Sequence, residues 1–460
     1  LFTDNQPWLA NSIKFISQNV VNISGYTVGI MNFLMLVSIL VAALLIYVLL
    51  HRLKLPPWYT FLVATGVALF SPQLTRMGGH YALAYCWVVP LILVLAHWFH
   101  TKPSWRKSTI IGLVIFLIAG LHFYFFALGA FFLALFFFFR WVFQPSVKSL
   151  WQSGAHFGLQ VVLPFVLFSL WLNLTDDVTD RPTDPFGFLV YKSTLKSAFL
   201  PIDFPHGKFL PDLLGFRMEE IAWESVAYIG LAADIGLLIL IGFGFMQLVK
   251  RNYWSWLRPL QHDFLDPMFS AGVFLFAFSL GVPFIFGLES LVEYLGPLKQ
   301  FRGIGRFSWI FFYVMQVMAF YVFYTRFFKD KTSGLRWLAI GLPLLVLMTE
   351  AWMFDTKPKY GLNTIPELEQ LQGEDHWLRN VNVDDYQALI PLPYNHTGSE
   401  NFWISDKESD VVKKSMIMSL QSGLPMTSVL MSRTSFSQTW QNLRLKWEPL
   451  EAAFPLLDHL

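Results

Sequence analysis

The sequence predicts an all-α polytopic membrane protein of about ten transmembrane helices, followed by a small C-terminal soluble segment of α/β or α+β character. Three observations carry this reading. Of 460 residues, 55% are hydrophobic and 14% charged, with a mean hydropathy of +0.48, whereas an ordinary soluble domain is about one quarter charged. Apolar stretches long enough to cross a bilayer recur along the first three quarters of the chain. The basic residues between them fall mostly on alternate loops.

The spans follow in order. A crossing needs roughly 20 mostly apolar residues to match about 30 Å of hydrocarbon. Stretches without Lys, Arg, Asp or Glu run over 28–50, 55–75, 81–99, 108–139, 154–175, 267–288 and 307–325. Two more, 226–249 and 337–354, are interrupted only by Asp234 and Glu350 respectively. The stretch 108–139 would be about 48 Å long as one helix, too long for one crossing, and Gly120-Leu121-His122 lies near its middle. Charge resolves it, because cytoplasmic loops are rich in Lys and Arg. With a hairpin at His122, one side receives Arg52, Lys54, Lys102, Arg106, Lys107, Arg140, Lys148, Lys250, Arg251, Arg258, Arg326, Lys329, Lys331 and Arg336. The short loops opposite hold only Arg76, Lys299, Arg302 and Arg306. The expectation is therefore ten spans with both visible ends extracytoplasmic, and one further helix before Leu1.

Residues 1–354 form the predicted bundle, with external loops at 1–27 and 174–225; residues 355–460 form the extracytoplasmic tail. Within the tail, Ala388-Leu389-Ile390-Pro391-Leu392-Pro393 reads as a short buried strand ending in prolines. The Phe136–Phe139 tract reads as a lipid-facing or core helix end.

Composition also excludes classes of function. Lys and Arg total 33 against 31 Asp and Glu, a formal charge of +2, too small an excess to bind nucleic acid electrostatically. One cysteine, Cys86, rules out an intrachain disulfide or a thiolate metal centre. No internal repeat of the kind common in transporters is evident.

Ionisable groups at membrane depth or at its rim are costly, which makes each a functional candidate. On the predicted outer side they are Asp4, Arg76 and His80 around Gly78-Gly79, His122 at the hairpin turn, Glu224, and Arg302 with Arg306. A carboxylate accepts the proton of an attacking hydroxyl, while Arg and His stabilise charge on a departing phosphate. A lipid-linked phosphate suits such a set, its tail lying between helices and its head at the aqueous rim. Each residue also has a plainer reading: a snorkelling arginine, a turn or N-cap at Asp4, a cap at His122. Asp176, Asp177, Asp180 and Asp184 cluster in one loop, either as a solvated surface or as ligands of a divalent cation, the one cofactor the chain suggests.

Four segments resemble the GT-C class of polyprenyl-phosphate-dependent glycosyltransferases, and within it the bacterial YfhO-like multispan proteins. They are Phe2–Trp8, Ser71-Pro72 with Arg76 and Gly79-His80, Trp223–Gly230, and Arg302–Phe307. The resemblance implies a sugar moved from a polyprenyl-phosphate donor, with inversion, to an extracytoplasmic glycan, lipid or protein, in a bacterial inner membrane. It assigns the catalytic base to Asp4; Glu224 is the reserve candidate, and the chemistry of the side chains themselves offers Arg76, His80, His122, Arg302 and Arg306 to the donor phosphate. Two other classes remain open: a lipid-linked-sugar transporter or flippase, and a non-catalytic scaffold subunit of an envelope assembly.

Overall fold

The computed structural model describes residues 6–447 apart from 177, 182–186, 202–222, 251–254, 356–380, 395, 398–402, 405–410 and 429–434. It divides into two compact units. The first comprises residues 1–175, 188–294 and 303–360, the second 176–187, 295–302 and 361–460.

Among its described residues the first unit contains helices and no strand. Its helices are α1 (Pro7–Asn19), α2 (Thr27–Arg52), α3 (Pro57–Leu69), α4 (Val88–Thr101), α5 (Trp105–Ala119), α6 (Phe123–Phe143), α7 (Val147–Phe157), α8 (Leu163–Thr175), α9 (Leu195–Phe199), α10 (Leu231–Val249), α11 (Leu265–Ser279), α12 (Ser308–Phe327) and α13 (Arg336–Asp355). A π-helical turn, Gly158–Val162, joins α7 to α8.

Local chemistry sets the boundaries. Pro57 opens α3, where its missing N–H is no loss. The Ser104 and Ser146 hydroxyls accept from the amides of Lys107 and Ser149 to cap α5 and α7, each satisfying one of the amides a helix start leaves unpaired. The 108–139 stretch is two helices, turning at residues 120–122 as the charge pattern requires.

Each predicted span contains a helix over part or all of its length. Seven described segments are long and apolar enough to cross a membrane: Ser24–Arg52, Tyr81–Thr101, Phe123–Phe143, Val147–Thr175, Leu231–Val249, Ile304–Phe327 and Arg336–Phe354. Helices α3, α5 and α11 are shorter, with 13, 15 and 15 residues. Pro72 converts the end of the 55–75 stretch into a 3-10 segment, Pro72–Gly78. Gly281 and Pro283 likewise interrupt 267–288 after Ser279.

Side-chain placement identifies the solvent. On α2, Phe33, Leu36, Leu40 and Leu44 form an exposed stripe at helical spacing, and Leu338, Leu342 and Leu345 do the same on α13. Continuous apolar faces of this kind are incompatible with water and natural in hydrocarbon, so the protein is an integral membrane protein. Helix α12 is the centre, with Trp309, Ile310, Phe312, Val314 and Met315 fully buried. Aromatic pairs fasten it, including Phe276 stacked on Phe311 at 4.5 Å and Phe278 edge-on to Phe307 at 5.0 Å; such pairs add about 0.5–1.5 kcal/mol each beyond burial. The Phe136–Phe139 tract belongs to the core at Phe136, Phe137 and Phe139, while Phe138 is exposed.

In the second unit, the described residues include a two-residue antiparallel ladder, β1 (His396–Thr397) with β2 (Trp403–Ile404), and the helices α14 (Val411–Ser422) and α15 (Phe436–Trp447). The Asp180 carboxylate accepts from the Ser437 amide at 2.6 Å, and its backbone carbonyl accepts from the Phe436 amide at 3.2 Å, so this loop residue caps α15. The expected buried strand at 388–393 is corrected. Leu389 makes one parallel bridge to Met426, while Ile390 and Leu392 are exposed. Pro391 and Pro393 lack the donors needed to extend a ladder.

Candidate functional site

Four of the candidate residues meet at one end of the first unit. Arg76 lies in the 3-10 segment after α3, and His80 just beyond it. Glu224 is the middle residue of a 3-10 turn, Trp223–Ser225. Arg306 sits in the 3-10 turn Ile304–Phe307 that leads into α12.

Glu224 is the common partner. Arg306 donates to it through two bonds, Nε to Oε2 and Nη2 to Oε1, both 2.8 Å. Arg76 Nη1 lies 3.3 Å from Oε2, and His80 Nε2 3.3 Å from Oε1. The paired Arg306 bonds are the planar fork geometry that guanidinium offers to carboxylate or phosphate. Burial alone raises the Glu224 carboxyl, but the hydrogen bond from His80 and the charges of Arg306 and Arg76 outweigh it and hold the group well below the usual carboxylate range. Glu224 is therefore an ionised counter-ion, and a weak base while so held.

Each guanidinium also rests on an aromatic face. Arg76, fully buried, lies 5.6 Å from the Trp309 ring centre. Arg306 lies 4.3 Å above Tyr124, whose hydroxyl accepts from the Gly303 amide at 2.7 Å. These cation–π contacts give each cation a second contact besides Glu224.

The loops that carry the cluster are stitched by backbone bonds. The Gly305 amide donates to Tyr191 O at 2.9 Å and the Ser193 hydroxyl to Gly305 O at 3.0 Å. The Ser193 amide donates to Ser279 O at 2.8 Å, and Ile229 N to Ala198 O at 2.9 Å. A side chain at Gly305 would place its Cβ 3.0–3.2 Å from Glu224 O, Tyr191 O and Ser193 N. All three are backbone atoms, so any larger residue would have to push these segments apart by a few tenths of an ångström.

A buried polar chain fixes the Arg76 segment. The Tyr313 hydroxyl donates to Gln73 Oε1 at 2.9 Å, Gln73 Nε2 donates to Tyr85 O at 3.2 Å, and the Tyr85 hydroxyl donates to Gln6 Oε1. This chain links α12, the start of α4 and the residue before α1.

The remaining candidates lie differently. His122 is the N-cap of α6, its Nδ1 accepting from the Tyr124 amide at 3.1 Å, and it touches the cluster through Tyr124, 5.4 Å away ring to ring. Arg302 belongs to the second unit, Arg306 to the first. Asp4 lies outside the described residues. In the acidic loop, Asp176 is held by Arg181 Nη2 at 2.9 and 2.7 Å, and Asp180 caps α15, while Asp177 and Asp184 lie outside the described residues. Among the described residues, no group of three or more His, Cys, Asp or Glu is placed to hold a metal ion.

Two acids flagged by their depth, Asp234 and Glu350, do not join the cluster around Glu224. Glu350 is buried and accepts from the Tyr228 hydroxyl at 2.8 Å and from the Leu231 amide at 3.1 Å, so it caps α10. Asp234 lies in the first turn of that helix.

Residues not singled out from sequence are Trp309, Gln73 and Tyr313; their signal was only an aromatic or amide within an apolar run. Compared with known proteins, residues 1–348 match the family model described as "Domain of unknown function (DUF6311)". No curated protein and no solved structure matches the chain.

Proposed function

The chain belongs to the DUF6311 family, and from that premise we propose that it is a membrane glycosyltransferase that takes a sugar from a polyprenyl-phosphate donor at its Arg76–His80–Arg306 rim. The observation that carries this reading is the convergence of two guanidinium groups and an imidazole, from two separate segments, on a single point occupied by one carboxylate. Such a grip has the charge and fork geometry for a phosphate. It lies at the end of a bundle whose outer faces are apolar, where a lipid tail can be solvated while its head meets water.

In this reading the bundle crosses the bilayer ten times, with the shorter α3, α5 and α11 completed by their flanking 3-10 and turn segments. The strongly basic end is cytoplasmic, and the Glu224 end is extracytoplasmic. The acceptor hydroxyl attacks the anomeric carbon, a carboxylate takes its proton, and the bond from that carbon to the phosphate oxygen breaks. Polyprenyl phosphate leaves with the bonding electrons, its charge stabilised by Arg76 and Arg306. The resemblance gives the base role to Asp4.

A second reading, a non-catalytic lipid-phosphate binder within an envelope assembly, is favoured by the engagement of both Glu224 oxygens. One experiment separates them. Membranes from a host lacking the protein are assayed for polyprenyl-phosphate-linked sugars, with wild type, Arg76→Ala or Asp4→Asn restored. The transferase predicts accumulation of a sugar-loaded lipid, relieved by wild type and by neither variant. The binder predicts unchanged lipids, and full relief by Asp4→Asn removes Asp4 as the base.

A further inference from the structure

We propose that Glu224 is an internal stand-in for the ligand's phosphate, and that binding is an exchange: the incoming phosphate takes Arg306 and Arg76 from the carboxylate. This rests on the reading that the rim cluster holds a lipid phosphate, and adds how the site is kept closed until the ligand arrives.

Three features carry the exchange. First, the Arg306 fork already holds two oxygens at 2.8 Å in parallel, an arrangement that two phosphate oxygens reproduce. Second, each cation has a contact besides Glu224: Arg76 lies beside the Trp309 ring and Arg306 over Tyr124, contacts that do not involve the carboxylate. Glu224, by contrast, stands on a three-residue turn. Third, the cluster opens to the outside at His80, whose side chain is half exposed, which gives a charged head group a route to the buried pair.

The charge balance favours exchange over addition. Arg76 and Arg306 with ionised Glu224 carry a net single positive charge; the phosphodiester of a sugar-loaded donor carries one negative charge, and the phosphate monoester that leaves, like dodecyl phosphate, carries more than one near neutral pH. Seating either beside Glu224 would place like charges a few ångströms apart in a partly buried site. Exchange removes that repulsion and leaves both guanidinium groups paired.

The test uses the full chain in dodecyl maltoside, with dodecyl phosphate as probe, dodecanol as uncharged control and inorganic phosphate as headgroup control. Binding is read by thermal shift and calorimetry for wild type, Glu224→Gln, Glu224→Asp and Arg306→Ala. Exchange predicts that Glu224→Gln binds dodecyl phosphate about tenfold tighter than wild type, because the competing charge is gone. Glu224→Asp should fall between them, its shorter reach loosening the hold on Arg306, and Arg306→Ala should lose binding. If Glu224→Gln does not fold, the aspartate variant decides, and affinity equal to or weaker than wild type overturns exchange. Wild type that binds while Glu224→Gln binds equally or more weakly also overturns exchange and leaves the phosphate reading standing. Failure of wild type and both Glu224 variants to bind either phosphate removes the reading and the exchange with it. Tenfold tightening toward inorganic phosphate equal to that toward dodecyl phosphate supports exchange and assigns the ligand as free phosphate.

Discussion

Glu224 and Glu350 are both acids placed among apolar helices, and they are held in opposite ways. Glu350 is buried against a helix start, bonded by the Leu231 amide and the Tyr228 hydroxyl. Glu224 is bonded by three ionisable side chains, brought from segments 82 to 148 residues away in sequence. A carboxylate satisfied by backbone amides and a neighbouring hydroxyl is part of the fold, since its partners are needed by the helix itself. One satisfied by two guanidinium groups and an imidazole collects charge that the fold has no use for. In the reading proposed above, the first kind of acid serves the architecture and the second serves a ligand.

The sharpest break in this comparison is expected from Arg306→Ala. Removing the fork deletes two charge-assisted bonds of about 1.5–3 kcal/mol each and leaves Glu224 partly buried without its main partner. Affinity for a lipid phosphate should fall about 100-fold or more. In the matched variant, Glu350→Gln, affinity per folded molecule should be unchanged. Calorimetric titration of both variants with dodecyl phosphate checks this, and a comparable loss in Glu350→Gln would erase the distinction between the two acids.

Next in size is stability at the Glu350 cap. Glu350→Ala strips acceptors from the Tyr228 hydroxyl and the Leu231 amide, which should cost about 1–3 kcal/mol. Tyr228→Phe should cost less, and the double variant less than the sum, because the two residues share one bond. Denaturation of the four proteins in the same detergent gives the cycle, and strict additivity would contradict the shared bond.

The four residues that converge were legible in the sequence because charge is scarce in this chain, and scarcity is visible without coordinates. The turn at residues 120–122 was legible for a related reason, since only a hairpin there keeps the basic loops on one side. Partnership was not legible. Nothing in Trp223-Glu224-Ser225 says that the carboxylate is already occupied, because Arg306 and Arg76 reach it from distant segments. Trp309 was hidden among many aromatics that serve only packing. The ends of α3 and α11 ran past their true limits because apolar composition continues through Pro72 and Pro283 while helical hydrogen bonding does not. Leu389 to Leu392 misled for the same reason: an apolar run flanking prolines has the composition of a strand and too few donors to make one.

Acid provides a third test. The Glu224 carboxyl lies lower in the folded protein than in the unfolded chain, where a glutamate has its ordinary pKa of about 4.3. Its contribution is thus complete above that value. As pH falls below it, the unfolded chain takes up a proton that the folded one refuses, and stability drops by up to about 1.4 kcal/mol per pH unit until the folded group also protonates. Melting temperature followed from pH 6 to pH 3 should show this slope in wild type and a shallower one in Glu224→Gln. Parallel curves would mean that Glu224 titrates as it does in the unfolded chain.

The smallest effect is expected at His80. It contacts the same carboxylate as Arg306, yet 51% of its side chain is exposed, against 9% for Arg306, and an ion pair screened by water contributes at most about 1 kcal/mol. His80→Ala should therefore weaken lipid-phosphate binding by no more than about fivefold, and raising salt from low to physiological strength should shrink the difference further. Arg306→Ala should keep most of its effect in salt, because its bonds are desolvated. If the two variants lose affinity equally, and equally at both salt concentrations, burial does not grade the partners of Glu224, and the site works as an open charged surface in place of a gripped pocket.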